Sequence, residues 1–390
     1  MKTVKLGDVC DIIGGGTPSK GNPIFWDGDI PWASVRDMKN PIIKTTEFTI
    51  TEKGLKNSST NLIPKNNVII ASRVGLGKVC WLQNNTAINQ DLRAIIPKDA
   101  KHIDKAYLFW WLRSAAGKIK EAGVGATVRG VTLPFLKGLE VPLPTLEEQR
   151  RIVAQLDAAF EKIERSIELT EKNLQNSQSL HSSKMSGIFN DNSWPICELA
   201  DHVKFIDYRG RTPKKTDSGI RLITAKNIKL GYLQDEPYEY VDPVIYSQWM
   251  TRGIPNKGDV LFTTEAPLAN VAQLDTDEQV VFAQRCIILR PDRSFLDPSF
   301  LKYMIMTNPV RADILFNGTG TTVKGIKASV LKKIKIFEPS VQEQKEIAQE
   351  LDRLTEQTQK LQILYRKKFD LLKALRQSLL QQAFSTTDKV

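Results

Sequence analysis

The sequence predicts two similar α+β domains joined by two long helices that form an antiparallel coiled coil, with an internal pseudo-twofold repeat. Three observations lead there: a long-period repeat, a repeated helix-opening motif, and apolar spacing suited to paired helices. Segments recur at an offset of 195 in a chain of 390 residues. Thr17-Pro18 returns as Thr212-Pro213, and Gly125-Ala126-Thr127-Val128-Arg129-Gly130 as Gly320-Thr321-Thr322-Val323-Lys324-Gly325. Glu148-Gln149 with Ile152, Leu156 and Asp157 returns as Glu343-Gln344 with Ile347, Leu351 and Asp352. Solenoid units repeat every ~20 to 50 residues, so copies this far apart are domain-sized modules.

Taken in order, residues 1–144 form the first domain. Short β-rich runs such as Asn67–Ala71 alternate there with Gly, Pro, Asn and Asp turns, and a helical stretch surrounds Tyr107 to Leu112. Residues 145–187 form the first long helix. Thr145 and Glu148 have capping-box spacing, and a 3/4 apolar period continues through Val153, Leu156, Phe160, Ile163, Ile167, Thr170 and Leu174 to Gly187, a C-terminal cap. Residues 188–339 repeat the domain, with a strand at Asp259–Thr263 and a helix near Phe300 to Met306. Residues 340–385 repeat the helix, opened by Ser340 and Glu343 and lined by Ile347, Leu351, Leu354, Thr358, Leu361, Tyr365, Leu372, Leu375 and Leu379. Helices of ~40 residues are ~60 Å long, too long to bury against one small domain, so they pack on each other. An antiparallel pair places one domain at each end, whereas a parallel pair would put both at one end. Ser177, His181 and Thr170 fall on the first seam, either as a register-fixing polar layer or as a solvated end.

Composition is that of a globular protein, with 41% apolar and 25% charged residues. The net charge of +11 is shared between the halves: 26 Lys plus Arg against 20 Asp plus Glu in residues 1–195, then 29 against 24. An evenly spread basic excess suits a nucleic-acid footprint. The four cysteines and three histidines show no zinc or disulfide spacing, which points to a reducing cytoplasm and to no bound metal. The N-terminus lacks an apolar signal core, and the run Leu108–Leu112 is too short to cross a bilayer.

Catalytic motifs are near misses. Gly75-Leu76-Gly77-Lys78 lacks the remaining residues of a P-loop, and Gly14-Gly15-Gly16 with Gly21 lacks dinucleotide spacing. Gly123-Val124-Gly125 and Gly318-Thr319-Gly320 precede strand-like Thr-Val-basic-Gly segments, so they read as phosphate-side turns or plain connections. Asn22-Pro23-Ile24-Phe25 only faintly echoes the tetrapeptide of adenine methyltransferases. No cofactor site and no catalysis are expected in this chain.

The segment Pro142-Leu143-Pro144-Thr145-Leu146-Glu147-Glu148-Gln149-Arg150-Arg151-Ile152-Val153, its echo from Pro339 to Ala348, and the stretches Gly14–Lys20 and Pro31–Asp37 resemble the specificity subunit of type I restriction-modification systems. That resemblance implies two target-recognition domains and two spacer helices. It also implies a non-catalytic subunit that reads a two-part asymmetric sequence of double-stranded DNA and holds two methyltransferase subunits. These use S-adenosylmethionine, and ATP-powered restriction/translocase subunits join them. Domains about one helical turn apart on a rigid rod can enter successive grooves, so the coil would act as a ruler.

Base edges are read by Arg, Lys, Asn and Gln, and phosphates by Lys, Arg, Ser, Thr and backbone amides. In the first half the candidates are Thr17, Lys20, Arg36, Arg73, Lys78, Gln90, Arg93 and Arg129. In the second they are Arg209, Arg211, Thr212, Lys214, Lys215, Lys226, Gln284, Arg285 and Lys324. The pairs Gln90/Gln284 and Arg129/Lys324 recur between copies, while Trp32, Trp110 and Trp111 are expected in the core.

Overall fold

The structure is a computed structural model that describes residues 2–125, 130–190, 193–210, 212–283 and 285–385. It divides into two compact units: Met1–Glu171 with Lys367–Val390, and Lys172–Arg366. The division cuts both long helices, so each unit contains one domain, the start of the helix that leaves it and the end of the other helix.

Among the described residues the first unit holds two larger sheets and a two-stranded one. In one, Cys10–Gly14, Leu92–Pro97, Val68–Ala71, Val79–Leu82 and Ile42–Ile43 lie side by side. In the other the order is Phe48–Ile50, Trp26–Ala33, Thr86–Ile88 and Asn61–Ile63. The second unit repeats the plan. Its sheets run Val203–Asp207, Cys286–Pro291, Val260–Thr263, Val271–Gln273, and Lys215–Thr216, Tyr240–Val241, Ile220–Ile223, Val280–Phe282. In each unit two short strands, Thr3–Lys5 with Glu140–Pro142 or Ile196–Glu198 with Lys335–Phe337, pair antiparallel beside the long helix. β-branched, apolar runs explain the central strands: every residue of Val68–Ala71 and of Val260–Thr263 is buried.

The helix expected near Tyr107 to Leu112 spans Lys105–Ser114, with Asp104 as N-cap, and its counterpart spans Pro298–Met306, capped by Asp297. Trp110 and Trp111 are buried in its core-facing surface, as expected. Each helix start is then seized by the glutamine of the repeated motif. Gln149 Oε1 accepts from the Asp104 amide at 2.8 Å, and its Nε2 donates to the carbonyls of His102 and Pro144, each at 2.9 Å. Gln344 does the same with Asp297, Phe295 and Pro339, each bond 2.8 Å long. Both glutamines are 0% exposed. Asp157 and Asp352 add a second tie, accepting from Trp110 Nε1 at 2.8 Å and from the Tyr303 hydroxyl at 2.6 Å.

The long helices span Leu146–Ile188 and Val341–Phe384. Thr145 and Ser340 cap them, each hydroxyl accepting from the amide three residues on at 3.3 Å. Within the first unit, Glu164 meets Arg376 at 2.6 Å, while Leu156 and Phe160 share a core with Leu380. Within the second, Lys184 meets Glu350 at 2.6 Å and His181 Nε2 lies 3.0 Å from Thr355 Oγ1. In each unit the partners descend along one helix as they climb the other, which makes the coil antiparallel. Ile152, Leu156, Phe160, Ile163 and Thr170 are buried on the first seam.

Two details correct the sequence reading. Gly187 lies inside the first helix, which ends at Ile188. On the second helix, Leu361 and Leu375 are 44% and 47% exposed. The 4/3 period from buried Thr358 runs through Gln362, Tyr365, Phe369, Leu372, Arg376 and Leu379, which are half-buried. Leu361 and Leu375 stand one residue off that stripe. No described helix is long and apolar enough to cross a membrane.

Replacing Gln149 or Gln344 with Leu orphans a buried amide and two carbonyls. Each variant is expected to lose about 2–4 kcal/mol of stability in urea unfolding. Burial lowers the His181 pKa from its ordinary 6.5. Below that value the unfolded chain takes up a proton that the folded one resists, so His181 costs stability as pH falls from 6.5 toward its folded pKa. His181→Gln is therefore expected to flatten the decline in melting temperature as pH falls below about 6.5, measured by calorimetry.

Candidate nucleic-acid interface

In the first unit the glycine-rich opening is a packing device. A Cβ on Gly15 would lie 2.1 Å from the Ile88 carbonyl oxygen, so only glycine lets the chain cross beneath residues 88–89. The Gly16 amide donates to the Ile88 carbonyl at 3.0 Å, and Trp32 Nε1 donates to the Gly16 carbonyl at 3.0 Å. This crossing brings the Thr17 hydroxyl to Gln90 Oε1, to which it donates. Thr17, Lys20, Arg36 and Gln90 line one open cavity of about 800 Å³, floored by Trp26 and Trp32. Trp32 is core, as expected. Arg36 pairs with Glu47 at 3.6 Å and Arg73 with Asp91 at 3.6 Å. Lys78 instead lines a separate cavity with Arg113 and Arg376, and the guanidinium of Arg93 lies over Gly14. Asn22-Pro23-Ile24-Phe25 is a capped 3₁₀ turn.

In the second unit, Arg209 is locked on Asp207 at 2.6 Å. Burial acts to raise the Asp207 carboxyl's pKa, but the hydrogen bonds and charge of Arg209 outweigh it and hold the group below the usual carboxylate range. Lys215 and Lys226 share Glu239, at 2.7 and 3.8 Å. Arg209 and Arg285 line a cavity of about 420 Å³ with Thr264, Glu265 and Thr319. Thr212, Lys214 and Lys324 are exposed. Arg129, Arg211 and Gln284 lie outside the described residues.

The Thr-Val-Lys-Gly segment of the second copy is a bent loop with exposed side chains at 321–324, which corrects the strand-like expectation. Gly320, at φ 117°, reverses the chain so that Thr319 and Gly325 face each other across an antiparallel bridge. Val124 and Gly130 make the same bridge in the first copy.

The sequence also concealed a second constellation. Cys197, His202 and Glu338 converge with their donor atoms within 4.8 Å of one another, His202 Nε2 being 3.0 Å from Glu338. The Cys197 thiol bonds to the same carboxylate. No spacing rule finds such a trio, because the pairing of Ile196–Glu198 with Lys335–Phe337 is what assembles it.

The description "Type I restriction modification DNA specificity domain" fits residues 1–175 and 251–365. The chain belongs to this family. It is 33% identical over 174 residues to the type I restriction enzyme MjaIX specificity subunit of Methanocaldococcus jannaschii, covering 43% of this chain and 40% of that one. It is 35% identical over 181 residues to the EcoR124I/EcoR124II specificity subunit of Escherichia coli, covering 43% and 44%. The chain thus spans less than half the length of these two relatives. A chain solved in work on complex assembly and conformational transition of the type I R-M system superposes with a TM-score of 0.78 at 19% identity, over 99% of this chain and 97% of that one. At that identity the likeness shows a shared fold.

None of the four cysteines of this specificity-domain protein is prepared as a nucleophile. Burial pushes the thiols of Cys10, Cys80, Cys197 and Cys286 up to about 12. Labelling with iodoacetamide at pH 8 is expected to be slow in the folded chain and to reach all four thiols in urea. A fast-reacting thiol in the native chain, located by peptide mapping, would contradict this.

Proposed function

We propose that the chain is the DNA sequence-specificity subunit of a type I restriction-modification complex. It reads a bipartite, asymmetric site, one half-sequence per unit, and carries no chemistry itself. Two methyltransferase subunits dock on it and use S-adenosylmethionine. Through them, ATP-driven restriction/translocase subunits join the complex. The observation that carries this reading is the duplicated scaffold with different side chains on its equivalent edges. One edge has Trp32 where the register places Leu222 in the other, and carries Arg73 and Asp91 where the other carries Glu265 and Arg285. Equal frames with unequal contacts suit a target with two unlike halves.

Exposed leucines favour docking partners. Leu361 and Leu364 in one unit, and Leu371 and Leu375 in the other, stand on the solvent side of the second long helix. Apolar side chains at heptad spacing on an exposed face invite a further helix.

The test replaces residues 1–144 with the matching segment of a relative and sequences methylated DNA from cells expressing the chimera with its methyltransferase. One half-site is expected to change. A change in both halves, or none, refutes independent reading. In the same preparation, binding should weaken by about 10³ to 10⁵ between 50 and 200 mM salt if some six to ten phosphates are contacted, and Lys324→Ala should lower the logarithmic slope by about one unit.

A further inference from the structure

Superposing the two copies by strand register reveals an exchange of charge. Leu92 pairs with Ala71 in the first unit, and Cys286 with Thr263 in the second, so these residues are equivalent. The next residue outward on one strand is then Ser72 or Thr264, followed by Arg73 or Glu265. On the other it is Asp91 or Arg285. The backbone wiring around them is the same. The Ser72 amide donates to the Asp91 carbonyl at 2.8 Å, and the Thr264 amide to the Arg285 carbonyl at 2.9 Å. The Val131 amide donates to Ser72 at 2.9 Å, and the Ile326 amide to Thr264 at 3.0 Å. Yet the ion pair that closes this corner is Arg73–Asp91 in one unit and Glu265–Arg285 in the other, at 3.6 and 2.9 Å. The arginine has changed strands and the acid has followed it.

Two edges that read unlike half-sequences have no reason to keep an arginine beside an acid, or to exchange the two together. A latch does, because a charge pair holds a corner equally well in either orientation. Stability alone does not account for the pair's presence in both copies. The arginines are 52% and 46% exposed, and half-exposed pairs contribute little, about 0–1 kcal/mol. What each pair does hold is the corner beside the candidate reading residues. Asp91 follows Gln90, which takes the Thr17 hydroxyl, and Glu265 bridges through its backbone to Gly325, which ends the Lys324 loop.

We propose that Arg73–Asp91 and Arg285–Glu265 are interchangeable positioning latches for the DNA-reading edges, and that neither arginine reads a base. This rests on the DNA-specificity reading above. It removes Arg73 and Arg285 from the set of direct contacts and leaves Thr17, Lys20, Arg36 and Gln90, which line one cavity, among the first unit's candidate readers.

The test exchanges the first pair to match the second. Full-length Arg73→Asp, Asp91→Arg and the double variant are assayed, with methyltransferase bound, for affinity to the cognate duplex and to duplexes scrambled in one half-site. Asp91 does not share the left-handed backbone of Arg285, at φ 76°, so arginine at 91 meets no such strain. Each single reversal should reduce discrimination at the first half-site tenfold or more and leave the second half-site unchanged. The double variant should recover to within about threefold, with an unchanged salt slope because its net charge is that of the parent. A folded double variant as defective as Arg73→Asp, or single variants with full discrimination, overturns the proposal. Should a reversal prevent folding, Arg73→Gln and Asp91→Asn decide instead. A latch loses equally with either, whereas a reading arginine makes Arg73→Gln far the worse. If the parent chain itself shows no sequence preference, it is the specificity reading that has failed.

Discussion

Everything else in each unit hangs on one buried side chain. Gln149 and Gln344 are wholly enclosed, and each spends its three bonds joining the start of a long helix to the capped start of the domain's own helix. A buried amide is costly unless every polar atom is met, and here the partners are backbone groups that would otherwise be orphans at a helix start and a chain reversal. The arrangement therefore has one low-energy geometry. It fixes the direction in which the helix leaves the domain, and Asp157 and Asp352, further along the same helices, repeat the constraint through Trp110 and Tyr303.

This division of labour explains why the motif recurs while the domains diverge. The bracket contacts main chain, so it is indifferent to what the sheets carry at their far edges. Those edges can then turn an ion pair end for end, as Arg73–Asp91 and Glu265–Arg285 do, without altering how the helix is held. The polar seam follows the same logic. His181 meets Thr355, and Thr355 meets the Tyr303 hydroxyl, so the coil is tied into the domain's hydrogen bonds as well as its apolar core.

The repeat, the long helices and the core tryptophans were legible because each rests on a local period or a residue type with few options. The seam of the second helix was misread at Leu361 and Leu375. Both are leucines at nearly the right spacing, and hydrophobicity alone cannot separate a stripe from its neighbour one residue away. The site was legible only in part. Thr17 and Gln90 were named, but their contact depends on the crossing under Ile88, 73 residues apart in sequence. The Cys197, His202 and Glu338 trio and the reversed ion pairs depend on strand pairing across long separations, which no single-sequence period encodes. The second copy's Thr-Val-Lys-Gly loop shows the opposite failure: β-branched residues suggested a strand, but Gly320 turns the chain before one can pair.

Pairing also changes what the net charge means. Arg36, Arg73, Arg209, Lys215, Lys226 and Arg285 all face carboxylates, so each offers a directed donor more than a free positive charge. Lys20, Lys78, Arg93, Lys214 and Lys324 form no ion pair among the described residues, and a phosphate backbone would find its counter-charges in these. These candidate side chains thus separate into two populations, paired and unpaired. On the proposed reading, unpaired lysines would set affinity and its dependence on salt, and paired arginines, their charge already met, would set the shape of the edge from which uncharged Thr17 and Gln90 would tell one base from another.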